Sequence, residues 1–597
     1  MNYLNYFLNI FKKNILLFLS SNILSVFSAI FGGLTIGLII PLLDPNNKNL
    51  FGGSELNFLA TYFEFINNYE GVERIRVVCL IIFIFGSFEF MTTILTSYLS
   101  SSLQIKVLKN LQEDLILEIR KLELLDFYKV EQGRIFSLVV NDSRMVARLV
   151  ARILNSIKDV WLLLIFTFVL FFVSPVMTIS ALFFLGVISI FINSKLGNLL
   201  RKRNSDFALR TQEINGELYE TLSGFKFLKA SGGDIEQFER ISRLFKEWRN
   251  SEWRILKVSI LPQPVFTLLN TFAITLLLFI GTILFPINRS DWLTLMIPFL
   301  FLIFKLMPTI SNLNNSRIKL KSSRPYYERI NSFFNDPKKV QTSKGTLDVG
   351  GINQISITNL KFGFSESSNF KINDINLNLE KKSITAIVGP SGGGKTTLVD
   401  LILGLYDNYE GSIKIDGQEL AEVNLQKYRK FISYVDQNNF LFNRSVIENI
   451  MMFEESVEEK DVIEAAKKAG AHDFIMKLEN GYKTILGEAG VSLSAGQRQR
   501  IGLSRAFLSN ADYLIFDEST SNLDYETEDY VISKVEELSN EKGILIIAHR
   551  LSSIKDAGNI IYIDNGKVIE SGSHENLLEK KGKYYKQLLT GNILDEV

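Results

Sequence analysis

Long apolar runs separated by polar stretches fill the chain up to about residue 315, and shorter apolar runs of strand length replace them beyond it. Six runs come close to the roughly 20 residues a helix needs to cross a bilayer core: 16–41, 75–98, 157–174, 176–193, 258–284 and 292–312. The third and fourth meet at Ser174-Pro175, which predicts a tight hairpin. The polar stretches 102–159 and 194–257 keep a helical period, as in Ile105, Leu108, Leu111, Leu115 and Ile119. The spans are therefore expected to run on as helices for some 28 residues each way, about 40 Å. Their tips, near Asp126–Gly133 and Leu222–Phe227, are then placed to touch a soluble domain. Met1–Lys13 reads as an amphipathic elbow helix, because the apolar stretch behind it, Asn14–Leu43, is too long for a signal-peptide core. In the loop 42–73, Leu56, Leu59, Phe63 and Ile66 are spaced as an amphipathic helix that either lies on the outer membrane face or caps the spans.

Charge fixes the orientation. Stretch 102–159 carries ten Lys/Arg and 194–257 carries thirteen, whereas loop 42–73 has only Lys48 and loop 285–291 only Arg289. The basic stretches and both ends of this domain are thus expected in the cytosol. The formal net charge of the 597-residue chain is +1, so no global basic field points to nucleic acid. Cys79 is the only cysteine and lies in an apolar run, which excludes a disulfide framework and predicts a small buried hydrophobe.

The domain 1–334 gives way to a polar linker, 335–351, and then to a βαβ pattern over 352–597. The strand Ile384–Val388 runs into Gly389-Pro390-Ser391-Gly392-Gly393-Gly394-Lys395-Thr396-Thr397, with a helical stretch after it. This is a phosphate-binding loop in its required setting: glycines let backbone N–H groups close around phosphate oxygens, and the helix start adds positive potential. Lys395 is expected on the β- and γ-phosphates of ATP and Thr396 on Mg²⁺. A second apolar strand, Tyr513–Phe516, ends in Asp517, placed to hold the Mg²⁺ shell, and Glu518, the natural base for the attacking water. His549 ends a third strand, where ligands sit in such sheets. His472 and His574 lack such a context and read as surface residues.

Residues 493–505, Leu-Ser-Ala-Gly-Gln-Arg-Gln-Arg-Ile-Gly-Leu-Ser-Arg, resemble the ABC signature, Gln437 resembles the Q-loop glutamine, and Ser521-Asn522-Leu523-Asp524 resembles the D-loop. Thr484–Gly490 is similar to the stretch before the signature in exporters. With six spans in front, the whole chain resembles the type IV ABC exporters. The fold this implies is an α-helical transmembrane domain followed by an α/β nucleotide-binding domain. The resemblance further implies a dimer, with ATP between the phosphate loop of one copy and Ser494, Gly496 and Gln497 of the other. It implies that Gln437 joins the Mg²⁺ site, that Asp524 lies at the nucleotide, and that Phe364 replaces the usual adenine-stacking tyrosine. Ala495 stands where glycine is commoner. Since Glu518, His549, Lys395 and Gln437 are all present, a homodimer is expected, with a heterodimer as the alternative.

Two charges lie deep in spans, Glu89 and Lys305, the latter one turn from Pro308. They are expected either to pair or to line the substrate path. The end of the first span, Ile39–Asp44, and the long outer loop resemble exporters of lipid-linked sugars or glycolipids. A multidrug or peptide exporter is the alternative, and an ATP-gated channel or regulator a second one. The expected place is a bacterial inner membrane, with membrane lipid around the spans.

Overall fold

The computed structural model describes residues 9–37, 65–335, 345–364, 372–548 and 554–589, apart from interruptions at 67, 70, 130–131, 174, within 262–288, and at 438, 453, 455–456, 488–489, 491 and 521–522. Most of the elbow and outer loop, much of the fifth expected span, Ser521, Asn522, His549 and the Lys305 side chain lie outside the described residues.

The chain divides into two compact units: unit 1, Met1–Arg120 with Val130–Lys338, and unit 2, Lys121–Lys129 with Lys339–Val597. Unit 1 is helical. Its helices are α1 (Ile15–Gly37), α2 (Gly71–Arg120), α4 (Gln132–Phe136), α5 (Ser143–Val173), α6 (Pro175–Ser223), α7 (Phe225–Ser231), α8 (Asp234–Ile260), α9 (Arg289–Ser322) and α10 (Arg324–Phe334), while α3 (Leu124–Lys129) belongs to unit 2. Among the described residues, Ile15–Thr35, Gly71–Arg120 and Gly133–Phe171 are long and apolar enough to cross a membrane. At 50 residues, α2 is about 75 Å long by its rise per residue, so the span and its polar extension form one rod. The helix α5 ends at Val173 and α6 begins at Pro175, a residue suited to the first helical position.

Small residues set the helix contacts, as expected where apolar association has no aqueous driving force. The Ser28 and Thr93 hydroxyls hydrogen bond at 3.0 Å, and a Cβ on Gly32 would lie 2.9 Å from Glu89 Oε1. Those pairs run α1 and α2 antiparallel in a fixed register. Between α4 and α5 the helix widens into a π-helical stretch, Ser137–Asp142. The Val139 carbonyl accepts from Gln112 Nε2 at 3.0 Å and from the Ser143 hydroxyl. Asp142 accepts two bonds from Arg329, from Nε at 2.8 Å and from a terminal nitrogen at 2.7 Å. Cys79 is exposed rather than buried among the described residues.

Unit 2 contains β1 (Gln354–Phe362), β2 (Ile372–Glu380), β3 (Ile384–Val388), β4 (Glu410–Ile415), β5 (Gln418–Glu419), β6 (Ile432–Val435), β7 (Tyr513–Asp517), β8 (Gly543–Ile547), β9 (Asn559–Asp564) and β10 (Lys567–Gly572). They form a four-stranded sheet, β2-β1-β4-β5, and a six-stranded one, β10-β9-β3-β8-β7-β6. The pairings β3–β9, β3–β8, β7–β8 and β6–β7 are parallel. Every residue of β3 and β7 is buried, which is why both read as continuous apolar runs rather than alternating ones. Two apolar cores flank the sheet, and Leu124 and Leu125 of α3 pack on one of them. The buried Glu123 carboxylate beside them accepts from the Asp407 amide at 2.9 Å.

Candidate functional site

Parallel pairing puts the carboxyl ends of β3, β8, β7 and β6 along one edge of the sheet, the place where ligands meet such sheets. Behind β3 the chain turns at Gly389, whose φ of 145° and whose distance to Ile563 leave no room for a side chain: a Cβ there would sit 1.9 Å from the Ile563 carbonyl oxygen. Gly392 and Gly394 also have positive φ, 78° and 105°. The Gly566 amide donates to the Gly393 carbonyl at 2.9 Å and pins the loop to the β9–β10 turn. Lys395 opens α11 (Lys395–Ile402), and its buried ammonium donates to the Gly389 carbonyl at 2.9 Å and the Pro390 carbonyl at 3.1 Å. Burial pulls that ammonium's pKa down, against the opposing pull of Glu518 and Asp517. Ser391, Gly392 and Thr396 are exposed and Thr397 half-buried, so the loop offers its outer side to a ligand.

Asp517 ends β7 nearly buried. Tyr434 donates to its Oδ2 at 3.3 Å, and Thr396 hydrogen bonds its side chain. Burial first, then the Glu518 charge, push the Asp517 carboxyl up. Asp400, the sixth residue of the loop helix, is pushed up to about 6, by burial and then by the Asp517 charge. Such a concentration of carboxylates beside a threonine hydroxyl is a hard-oxygen environment that fits a small divalent cation.

Glu518 follows in a left-handed conformation, φ 48°, which a non-glycine residue adopts at a cost of about 1–3 kcal/mol. Its amide donates to the Ile547 carbonyl at 3.0 Å and its carbonyl accepts from Gln499 at 3.3 Å, so two elements hold the strained backbone. Gln437, just past β6, donates from Nε2 to Glu518 Oε2 at 2.6 Å. The structure thus gathers Gly389–Thr397, Gln437, Asp517 and Glu518 into one site.

Ser494, Gly496 and Gln497 stand elsewhere, at the start of α12 (Ala495–Leu508). Ser494 accepts from the Gln497 amide at 3.2 Å while Gln497 Oε1 accepts from the Ser494 amide at 2.9 Å, a capping box that leaves the helix start at the surface. Asp524 caps α13 (Tyr525–Ser539) by accepting from the Thr527 amide at 3.0 Å, and that bond holds its carboxyl below the usual range. Phe364 remains 37% exposed, its ring edge-on to Phe362 at 5.2 Å and to Tyr406 at 5.9 Å.

Tyr434, Asp400 and Arg505 are the functional neighbours that sequence reasoning missed. Arg505 ties α12 to the segment after Gln437, donating to the Asn449 carbonyl at 2.6 Å and to the Phe440 carbonyl at 2.8 Å. Burial lowers its guanidinium to about 10. An arginine closing the signature stretch was the available signal. His472 and His574 are half-buried rather than surface residues, hydrogen bonded to Tyr482 at 2.9 Å and Tyr584 at 2.8 Å. In unit 1, Lys158 of the third expected span donates to Thr93 at 3.2 Å and interacts electrostatically with Glu89.

The protein-family models for the ABC transporter transmembrane region and the ABC transporter match residues 15–306 and 372–521. The chain belongs to the ABC exporters. This exporter is 32% identical over 526 residues to the ATP-dependent lipid A-core flippase of Syntrophus aciditrophicus (strain SB), covering 87% of this chain and 86% of the relative. It is 31% identical over 524 residues to the alpha-hemolysin translocation ATP-binding protein HlyB of Escherichia coli O157:H7, covering 87% and 73%. Its fold matches a bacterial Atm1-family ABC exporter with ATP bound at a TM-score of 0.79 and 20% identity, over 97% of this chain and 99% of that one. The exporter is an integral membrane protein that binds ATP and couples its hydrolysis to transport.

Proposed function

We propose that the exporter moves a lipidic substrate, a lipid-linked sugar or glycolipid, across a bacterial inner membrane as a dimer of two copies. The observation that supports the catalytic half is the 2.6 Å bond from Gln437 to Glu518, beside Asp517 and the phosphate loop. Glu518 takes the proton of the attacking water, Gln437 orients it, and His549, two residues past β8, contacts the terminal phosphate. Lys395, with Gly389, Ser391, Gly392, Gly394 and Thr397, grips the phosphates, and Phe364 stacks on the base. Thr396, Asp517 and Gln437 are the groups that would hold Mg²⁺, which when bound neutralises charge on the transferred phosphoryl group. Ser494, Gly496 and Gln497 serve the partner copy's nucleotide through the positive start of α12, with Asp524 close to that contact.

The two cytosolic tips support the dimer. The first, α3, is packed on this chain's own unit 2, whereas the second, α7, buries none of its residues, with Phe225 and Phe227 exposed and Leu222 just before it at 70%. An apolar tip of this kind fits a second copy's ATPase unit. The lipidic substrate rests on the flippase relatives, with Glu89, Lys158 and Lys305 as the charges a polar head group meets in the membrane. Likeness to a hemolysin translocator at 31% identity favours peptide export as the second reading. ATPase activity in lipid nanodiscs tests both: stimulation by a lipid-linked sugar or glycolipid that Glu518→Gln abolishes is expected. Stimulation by a peptide alone overturns the lipid reading, and hydrolysis without any translocation in a vesicle assay favours a channel or regulator.

A further inference from the structure

The register of α1 against α2 has a consequence at the cytosolic edge of the membrane unit. Ser28 lies level with Thr93 and Gly32 with Glu89, so each residue back along α1 advances one along α2, and Asn14 comes level with Val107. At that level is a cavity of about 350 Å³ whose lining includes Lys12, Lys13, Val107, Asn110, Leu111 and Asp114. Its size falls at the lower end of small-molecule sites, roughly 300–1,000 Å³.

The walls are built rather than accidental. A turn at Asn14 joins the helical residues 9–13 to α1, and the buried Asn14 side chain donates to the Ile10 carbonyl at 3.0 Å. Phe11 and Phe18 pack across this corner, ring centroids 4.8 Å apart. One wall therefore carries two exposed ammonium groups, Lys12 and Lys13. The other is one face of α2, where Val107, Asn110, Leu111 and Asp114 follow at helical spacing. Val107 and Leu111 are buried and form an apolar floor. Lys109 pairs with Glu113 on the neighbouring face, but among the described residues neither Lys12, Lys13 nor Asp114 has an ion-pair partner.

We infer that this cavity binds the head group of a phosphatidylethanolamine from the cytosolic leaflet, a retained lipid distinct from the transported substrate. Lys12 and Lys13 meet the phosphate, Asp114 and the Asn110 carbonyl accept from the primary ammonium, and the apolar floor meets the glycerol and the first methylenes. A purely anionic head group satisfies the lysines but sets its charge against Asp114. A choline head group carries no N–H for Asp114. The site thus selects by the pattern of opposite charges, not by net charge.

The test is thermal unfolding of the delipidated full chain in detergent micelles, with added dioleoyl phosphatidylethanolamine, its N-methylated forms, phosphatidylcholine or phosphatidylglycerol. The expected result is half-maximal stabilisation at about tenfold lower phosphatidylethanolamine than phosphatidylcholine, a loss that grows with each methyl group. Asp114→Asn removes the preference for phosphatidylethanolamine over phosphatidylglycerol, and Lys12→Gln with Lys13→Gln weakens both. Equal stabilisation of the wild type by all the lipids overturns the proposal whatever the variants do, as does an unchanged preference in Asp114→Asn. Stabilisation by soluble glycerophosphoethanolamine at equal concentration assigns the chemistry to a soluble ligand and overturns the lipid assignment.

Discussion

At the scale of single residues, the phosphate loop shows that two glycines in one motif do different work. Gly389 is fixed by space: its Cβ would meet the Ile563 carbonyl at 1.9 Å, backbone that cannot yield without moving β9. Gly392 is fixed only by conformation, since a Cβ there meets nothing within 4 Å and its φ is 78°. Gly389→Ala is therefore expected to abolish nucleotide binding. Gly392→Ala, costing about 1 kcal/mol of backbone strain, should weaken binding by no more than about tenfold. A fluorescent-nucleotide titration separates the two, and equal losses would refute the distinction. Glu518 obeys a similar logic in reverse, because a non-glycine residue is held at φ 48° by bonds from its own amide and carbonyl. That strain aims the carboxylate at Gln437, and nothing in the local sequence betrays it.

At the scale of elements, the π-helical stretch Ser137–Asp142 is held by groups far away in the chain. Asp142 is nearly buried and its bidentate partner Arg329 lies 187 residues on, in α10, the helix that leads out of unit 1. Removing one member of such a pair strands the other, at a cost of about 3–5 kcal/mol, whereas replacing both by apolar residues is often nearly neutral. Arg329→Met alone is expected to lower the melting temperature of the membrane unit, and Asp142→Leu with Arg329→Met to recover most of the loss. A double variant as unstable as the single one would show that the pair does more than satisfy charge. The long helices α1, α2 and α5 and the phosphate loop were legible in the sequence because their signals are contiguous: a run of apolar residues, or nine residues between a strand and a helix. The π-helix, the Asp142–Arg329 pair and the Gln437–Glu518 bond were not, because each depends on partners tens to hundreds of residues apart. Cys79 misled for a related reason, since an apolar run does not say which face of a membrane helix meets protein.

At the scale of the whole molecule, the proposed dimer turns on two groups of residues that lie apart within one chain. Lys395, Gln437, Asp517 and Glu518 meet at the sheet's edge, while Ser494 and Gln497 hydrogen bond each other at the exposed start of α12. The α7 tip adds a second unsatisfied surface, with Phe227 73% exposed. Phe227→Asp should leave ATP binding intact and remove substrate-stimulated hydrolysis, because a charge there cannot enter an apolar seat. Complementation then asks whether the two groups join between copies. A Lys395→Met homodimer lacks the phosphate ligand at both sites, and a Ser494→Arg homodimer lacks the signature at both, so each is expected to be inactive. In a mixed dimer one site receives the intact Lys395 of one copy and the intact Ser494 of the other, while the second site inherits both defects. Differently tagged copies, co-expressed and purified through both tags, should therefore recover hydrolysis at up to about half the wild-type rate if the sites act independently, and less if they act in turn. If instead each site were completed within one chain, both sites of the mixed dimer would carry a defect and no activity would return. Recovery above both parents is thus the signature of sites shared between copies, and its absence from a well-folded, ATP-binding mixed dimer would remove the dimeric reading.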